Sequence, residues 1–214
     1  MSQAPATPET PRVHHPRFSR YYARLSQGGS ERRFFEPLRR ELIEQAHGVV
    51  LEIGAGTGLN FPFYLPAKVE RVEATEPDTT MLSYARDPLQ PARVPLTLTR
   101  ATAELLPFAD ATFDCVVATL VFCSVHDPAR SFEEIRRVLK PGGTLLLLEH
   151  VRSQSHFAAR LQDLAVPLTT HLAGNCHWNR DTSQAVKVAG FQIQQERLLS
   201  GWLQPILLLR AIDV

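Results

Sequence analysis

In Leu51-Glu52-Ile53-Gly54-Ala55-Gly56-Thr57-Gly58 a carboxylate stands just before a run of alternating glycines. Glycine lets the backbone come close to a ligand, and in an open α/β sheet the ligand sits at the carboxyl ends of the first strands. The dinucleotide fingerprint G-x-G-x-x-G needs a glycine at position 59, where this chain has Leu59. A carboxylate at Glu52 would repel a pyrophosphate and attract cations, so the loop points to a ligand with positive groups. Glu76 follows the hydrophobic run Val69 to Thr75. That is the place from which a carboxylate accepts both hydroxyls of a ribose.

Proton and sulfur chemistry have fewer candidates. His150 closes the fifth apolar run at its carboxyl end, and imidazole is the side chain that exchanges protons near neutral pH. The bland alternative is that His150 only bonds a loop backbone and shapes the pocket. His126, followed by Asp127-Pro128, is the second candidate, although Asp127 also reads as a helix N-cap. Cys115 lies inside a buried run and reads as a small core residue, whereas Cys123 and Cys176 are candidate acceptor-site residues, and their convergence on the cleft to bind a soft electrophile is a minor alternative. Arg180, in Asn179-Arg180-Asp181-Thr182, either starts the last helix or closes over an acceptor. Phe18, Tyr21, Tyr22, Phe122, Trp178 and Trp202 read as core or pocket wall, with Tyr21 and Phe122 taken as the acceptor-pocket candidates, as pockets for small molecules are mostly apolar. No four ligands stand at a recognised spacing, so no metal site is expected.

The elements that must hold these groups alternate. Val49 to Ile53, Val69 to Thr75, Leu96 to Arg100, Phe113 to Val121 and Thr144 to Glu149 read as strands, with a helix from Pro128 to Leu139 whose Phe132, Ile135, Val138 and Leu139 form one apolar stripe. Such alternation predicts a doubly wound α/β fold, a seven-stranded, mostly parallel sheet. Phe191 to Leu198 and Ile206 to Ile212 have no helical pattern between them and are expected to pair antiparallel at the sheet edge. Ahead of the sheet, residues 1 to 16 are proline-rich and read as a disordered leader, and 17 to 214 as one domain. In it, 17 to 47 form a helical lid, with Ser30 as an N-cap, and 153 to 176 a helical insertion. Arg32, Arg33, Arg39 and Arg40 are expected on the outer face of the second helix. A solvated face is the ordinary reading and peripheral membrane contact the alternative.

Four motifs in order now resemble the class I S-adenosylmethionine-dependent methyltransferases, strongly over residues 49 to 150. They are E-x-G-x-G-x-G at Glu52 to Gly58, Ala103-Glu104-Leu105-Leu106-Pro107-Phe108, Phe113-Asp114, and Arg137-Val138-Leu139-Lys140-Pro141-Gly142-Gly143. The resemblance implies S-adenosylmethionine held by Glu52, Gly54, Ala55, Gly56, Thr57, Gly58, Asn60, Glu76, Pro77, Ala103, Glu104 and Leu120. Thr102 stands where many relatives carry an acidic residue toward the adenine amino group. Thr119 to Val125, Glu149-His150-Val151, Asn60-Phe61, and Cys176 with Asn179 to Thr182 are similar to the alkyl-thiol methyltransferases of the methyltransferase-like seven family and their bacterial relatives. This implies a small thiol as acceptor. Phospholipid N-methyltransferases and quinone C-methyltransferases of similar look, and a noncatalytic binding module, are the alternatives.

Composition bounds the rest. The 214 residues are 44% hydrophobic with a net charge of +1, which lacks the field that nucleic-acid binding draws on. Three cysteines make no disulfide framework, and no apolar run spans a bilayer, so a cytoplasmic location is expected. The oligomeric state is not legible in the sequence.

Overall fold

The computed structural model describes residues 16–26, 28, 29, 31–86, 92–199 and 201–214. The expected leader, apart from Pro16, and the Ser30 cap lie outside the described residues. Seven strands form one sheet: β1 Gly48–Ile53, β2 Val69–Thr75, β3 Leu96–Thr99, β4 Phe113–Thr119, β5 Leu139–His150, β6 Phe191–Leu199 and β7 Ile206–Asp213. Their order is β3-β2-β1-β4-β5-β7-β6. The first five are parallel, and β7 runs antiparallel between β5 and β6. The antiparallel pairing expected at this edge is therefore present, with β6 outermost.

Side chains alternate across each strand and feed two apolar layers. Leu51, Val116 and Leu147 face the layer holding Phe132, Ile135 and Val138 of the helix α4 (Pro128–Val138). Val50, Val117 and Leu146 face the opposite layer, with Leu42, Ile43, Phe61 and Tyr64. Leu42 and Ile43 belong to α2 (Glu36–Ile43), which follows a π-helical turn at Glu31–Phe35, so the single second helix expected from the sequence is built in two pieces. α1 (Pro16–Leu25) packs against α3 (Thr79–Ala85), which lies between β2 and β3. The insertion after β5 is α5 (His156–Leu172), and α6 (Thr182–Val188) precedes β6.

Aspartates cap the helices that flank the site: Asp78 accepts from Thr80 and Met81, Asp127 from Arg130 and Asp181 from Gln184. Asp127 and the Asn179–Thr182 turn thus take the capping places read from the sequence. Among the described residues no helix is long and apolar enough to cross a membrane.

Candidate active site

A cavity opens at the carboxyl ends of β1, β2, β3 and β4. Gly54 and Gly56 form its floor, both at positive φ (68° and 58°). A Cβ on Gly54 would lie 2.5 Å from Val121 Cγ2, so packing and conformation both demand glycine there. A Cβ on Gly56 would meet only the Gly54 carbonyl, at 4.0 Å, and otherwise project into open space. This is a backbone cradle that a ligand can approach.

Glu76 ends β2 on the cavity wall. Its Oε2 accepts the Gly56 N–H and its Oε1 the Asp78 N–H, each at 2.9 Å, which ties the glycine loop to the second strand. Burial raises its pKa to about 7. Thr102, Ala103 and Glu104 supply the wall after β3. Thr102 Oγ1 is buried without a hydrogen-bond partner, so a polar group of a ligand can satisfy it. Glu104 Oε1 accepts the N–H groups of His126 (2.8 Å) and Asp127 (3.3 Å), which binds this wall to the loop after β4. Leu120 closes the fourth side at φ 59°, a left-handed conformation that costs a non-glycine residue about 1 kcal/mol or more.

These residues fit S-adenosylmethionine. The Glu76 carboxylate has lone pairs of the kind that ribose hydroxyls need, Thr102 Oγ1 has an unused hydrogen-bonding group for a base, and among the described residues no lysine or arginine lines the cavity to favour a phosphate.

Behind the glycine loop lies a buried polar network. Glu52, 1% exposed, accepts Asn60 Nδ2 at 2.9 Å and the Tyr64 hydroxyl at 2.6 Å. Burial lifts its pKa to about 7, against the pull of Tyr64, Asn60 and Arg39. Arg39 Nη1 donates to Asn60 Oδ1 (3.1 Å) and Thr119 Oγ1 (2.6 Å), and its Nε to Glu31 (2.7 Å). Arg39 also bonds the Tyr22 hydroxyl, and Tyr22 lines the cavity. The expected outer-face placement fails for Arg39, which is 3% exposed. It occupies the apolar stripe of its helix, and the network satisfies its charge.

A second cluster sits behind the β4 loop. Glu149, fully buried, receives the N–H groups of Val121 (2.8 Å) and Phe122 (3.0 Å) on Oε1 and leaves Oε2 without a partner. Desolvation, reinforced by Cys123, holds its carboxyl well above the ordinary range. Cys123 Sγ donates to the Leu120 carbonyl (3.7 Å) and lies 3.6 Å from Ser124 Oγ, with Cys176 and His150 near enough to act on its thiol, and Phe35 packs edge-on against the His150 ring at 5.9 Å.

Of the residues assigned from the sequence, Gly54, Gly56, Glu76, Pro77, Thr102, Ala103, Glu104, Leu120 and His126 line the cavity. Ala55, Thr57, Gly58 and Asn60 support the loop from outside its lining, and Glu52 stands one layer back, its oxygens taken by Asn60 and Tyr64 rather than turned to a ligand. His126 belongs to the Glu104 side. Tyr21 is corrected: it is 61% exposed, and its neighbour Tyr22 turns inward. Phe122 is corrected too, since it is buried and stacked 4.3 Å from Phe132 in the core. Cys123, Cys176 and His150 come together just behind the wall, and Arg180 donates to the Phe122 carbonyl at 2.5 Å. Sequence reasoning misses Tyr64 and puts Arg39 on the wrong face, while of the aromatic residues it offers as core or pocket wall Phe18 and Tyr22 line the cavity.

A family model described as a methyltransferase domain matches residues 51–147. Thiol S-methyltransferase TMT1B of Homo sapiens is 33% identical over 188 residues, covering 77% of this chain and 72% of that protein. The ubiquinone/menaquinone biosynthesis C-methyltransferase UbiE of a Marinomonas strain is 33% identical over 147 residues, covering 65% of this chain and 57% of that protein. A solved methyltransferase of Thermotoga maritima shares the fold, with a TM-score of 0.66 at 23% identity over 93% of this chain and 98% of that one. The chain belongs to the class I S-adenosylmethionine-dependent methyltransferases. Within that class its relatives include thiol S-methyltransferases and quinone C-methyltransferases.

Proposed function

We propose that this methyltransferase acts on the sulfur of a small thiol. The observation that carries the reading is the 33% identity to a thiol S-methyltransferase over 77% of the chain. When bound, S-adenosylmethionine supplies a methyl group on a sulfonium leaving group, so the protein's task is to hold an acceptor in line and exclude water. Phe18, Tyr22, Val121 and Val125 give that task an apolar wall. Arg39 fixes Tyr22, Asn60 and Thr119 in one network, which keeps the lid helix α1 in register with the glycine loop.

An alkyl thiol must lose its proton to be a good nucleophile. We assign that proton to His150, reached through Cys123, over His126, whose loop is tied to Glu104. Incubation with alkyl thiols, sulfide, a quinol and phosphatidylethanolamine tests the acceptor, and methylation of the lipid or quinol alone would refute the thiol reading. His150→Ala is expected to slow alkyl thiols at least tenfold while sparing an acidic aryl thiol. Equal loss with both would remove the base from His150. A cytoplasmic location goes with this reading, as Cys115, Cys123 and Cys176 are all free thiols.

One observation favours a lipid or quinone acceptor as the second reading. Phe157, Leu164, Leu168 and Leu172 share one face of α5 and are each more than 60% exposed, and Trp202 stacks on Phe157 at 6.0 Å. Such a stripe suits contact with a membrane surface. Flotation with anionic vesicles, lost in Leu164→Ser/Leu168→Ser, would support it, and flotation unchanged by that variant would remove it.

A further inference from the structure

We propose that Cys123 and Cys176 form a second thiol site, which exchanges with small dialkyl disulfides and releases the thiol beside the methyl-transfer cavity. The exchange itself does not depend on which acceptor is methylated. Its use as a supply of acceptor rests on the thiol reading above.

The chain goes to some length to bring these two residues together from positions far apart in sequence. Three successive carbonyls of the β4 loop accept bonds from the segment that follows α5: Phe122 from Arg180 Nη1 (2.5 Å), Cys123 from the His177 N–H (2.6 Å) and Ser124 from Asn175 Nδ2 (2.9 Å). Thr169 Oγ1 holds the Cys176 carbonyl at 2.8 Å, and Asn175 turns the chain at φ 66°. Cys176 precedes the residue whose N–H bonds the Cys123 carbonyl, so the clamp sets the two thiols side by side, close enough for each to perturb the other. The proton path proposed above uses Cys123 alone, so it gives no reason for a clamp that brings Cys176 beside it; neither thiol is in the cavity lining.

The pair is asymmetric in the way that disulfide exchange uses. Cys123 is 3% exposed and Cys176 is half-buried, so a ligand meets Cys176 first. The neighbouring Cys123 and the Arg180 guanidinium lower the Cys176 thiol, and the contact with Cys176 together with burial raises Cys123, so Cys176 is the thiol that ionises first. The His150 ring lies beside Cys123, lowers its thiol, and is the neighbouring base to which its proton goes in this scheme.

In the first step the Cys176 thiolate attacks one sulfur of R–S–S–R, forming a mixed disulfide and expelling RS⁻, which is protonated by solvent. In the second, Cys123 gives its proton to His150 and attacks Cys176 Sγ, forming the Cys123–Cys176 disulfide and expelling the second RS⁻. One dialkyl disulfide is reduced to two thiols, and one dithiol is oxidised to one disulfide. Two equivalents of a cellular thiol restore the dithiol by the reverse exchange. Cys176 is flanked by Asn175, and Cys123 by Ser124, both of which line the cavity, so the thiol is released at its wall.

The test uses the full, reduced chain without S-adenosylmethionine and with bis(2-hydroxyethyl) disulfide as probe. The wild type is expected to lose two hydrogens in mass, release two equivalents of 2-mercaptoethanol, and give one peptide link between Cys123 and Cys176. Cys123→Ser should stop at a stable adduct on Cys176, and Cys176→Ser should react at least tenfold more slowly. A wild type that keeps the adduct, or a Cys176→Ser variant that reacts at the wild-type rate, overturns the proposal. Methylation of free thiols is assayed separately. Its failure refutes the acceptor reading and leaves the exchange result standing.

Discussion

Lowering the pH from 8 to 6 is expected to weaken S-adenosylmethionine binding about tenfold through one carboxyl group. In the proposed site Glu76 is the ribose carboxylate; its two oxygens already accept backbone N–H groups, and burial puts its pKa at about 7. Only the carboxylate has lone pairs free for two further hydroxyl donors. With the ionised fraction as the competent state, the apparent Kd scales as one plus ten to the power (7 minus pH), which is about 11 at pH 6 and about 1.1 at pH 8. Glu76→Gln should flatten this dependence and, by losing charge-assisted bonds worth about 1.5–3 kcal/mol each, weaken binding at pH 8 by about tenfold or more. Isothermal titration calorimetry at pH 6, 7 and 8 in buffers of different ionisation heat reads both the affinity and the proton released or taken up. A wild-type Kd that is flat over this range, or a slope that persists in Glu76→Gln, refutes the assignment.

The same two buried carboxyls give the ligand-free chain the opposite trend. Glu52 and Glu76 bind protons up to about pH 7 when folded but only to about 4.5 when unfolded, so their stabilisation is lost as pH rises between those values, and Tm at pH 6 should exceed Tm at pH 8 by calorimetry. Gly54→Ala must adopt φ 68° with its Cβ 2.5 Å from Val121, and is expected to cost about 2–4 kcal/mol in denaturant melts and to abolish ligand-induced stabilisation. Arg39→Ala strands Glu31 and empties the network, for a loss of about 3–5 kcal/mol, and Arg39→Lys should recover only part of it by urea titration. Glu149→Gln keeps the oxygen that receives Val121 and Phe122 and should stay within about 1 kcal/mol of the parent. Glu149→Ala leaves both N–H groups unpaired and should cost about 2–6 kcal/mol.

The strand order and the glycine loop were legible because local pattern sets them. Alternation of apolar runs with helical stripes leaves few topologies, and Gly54 and Gly56 announce two positions where backbone forms the wall. The errors came from helix phase. In α1, Ser19, Tyr22, Ala23 and Ser26 turn inward and Arg20, Tyr21 and Arg24 outward, a phase that Arg20 and Arg24 already mark. In α2, Arg39 stands four residues after Phe35 and four before Ile43, on the buried stripe, and only its charge argued for the outer face. Glu52 was placed against the ligand by the sign of its charge, a rule blind to Asn60 and Tyr64, whose side chains reach it from a later turn. The meeting of Cys123 with Cys176 depends on a clamp between distant segments, which spacing alone does not encode.

The order of strands in space also differs from their order of synthesis. β5 is made well before its outer neighbour β7, and β6, made in between, touches the sheet only through β7. On the ribosome, the apolar β5 therefore waits as an open edge while α5, α6 and β6 emerge, and β6 has nothing to pair with until its hairpin partner follows. An unpaired edge of this kind invites pairing with other nascent chains. The β6–β7 hairpin is the closing piece of the barrier against aggregation, so slowed translation between β5 and β7 should lower the soluble yield of a protein whose finished fold shows no such weakness.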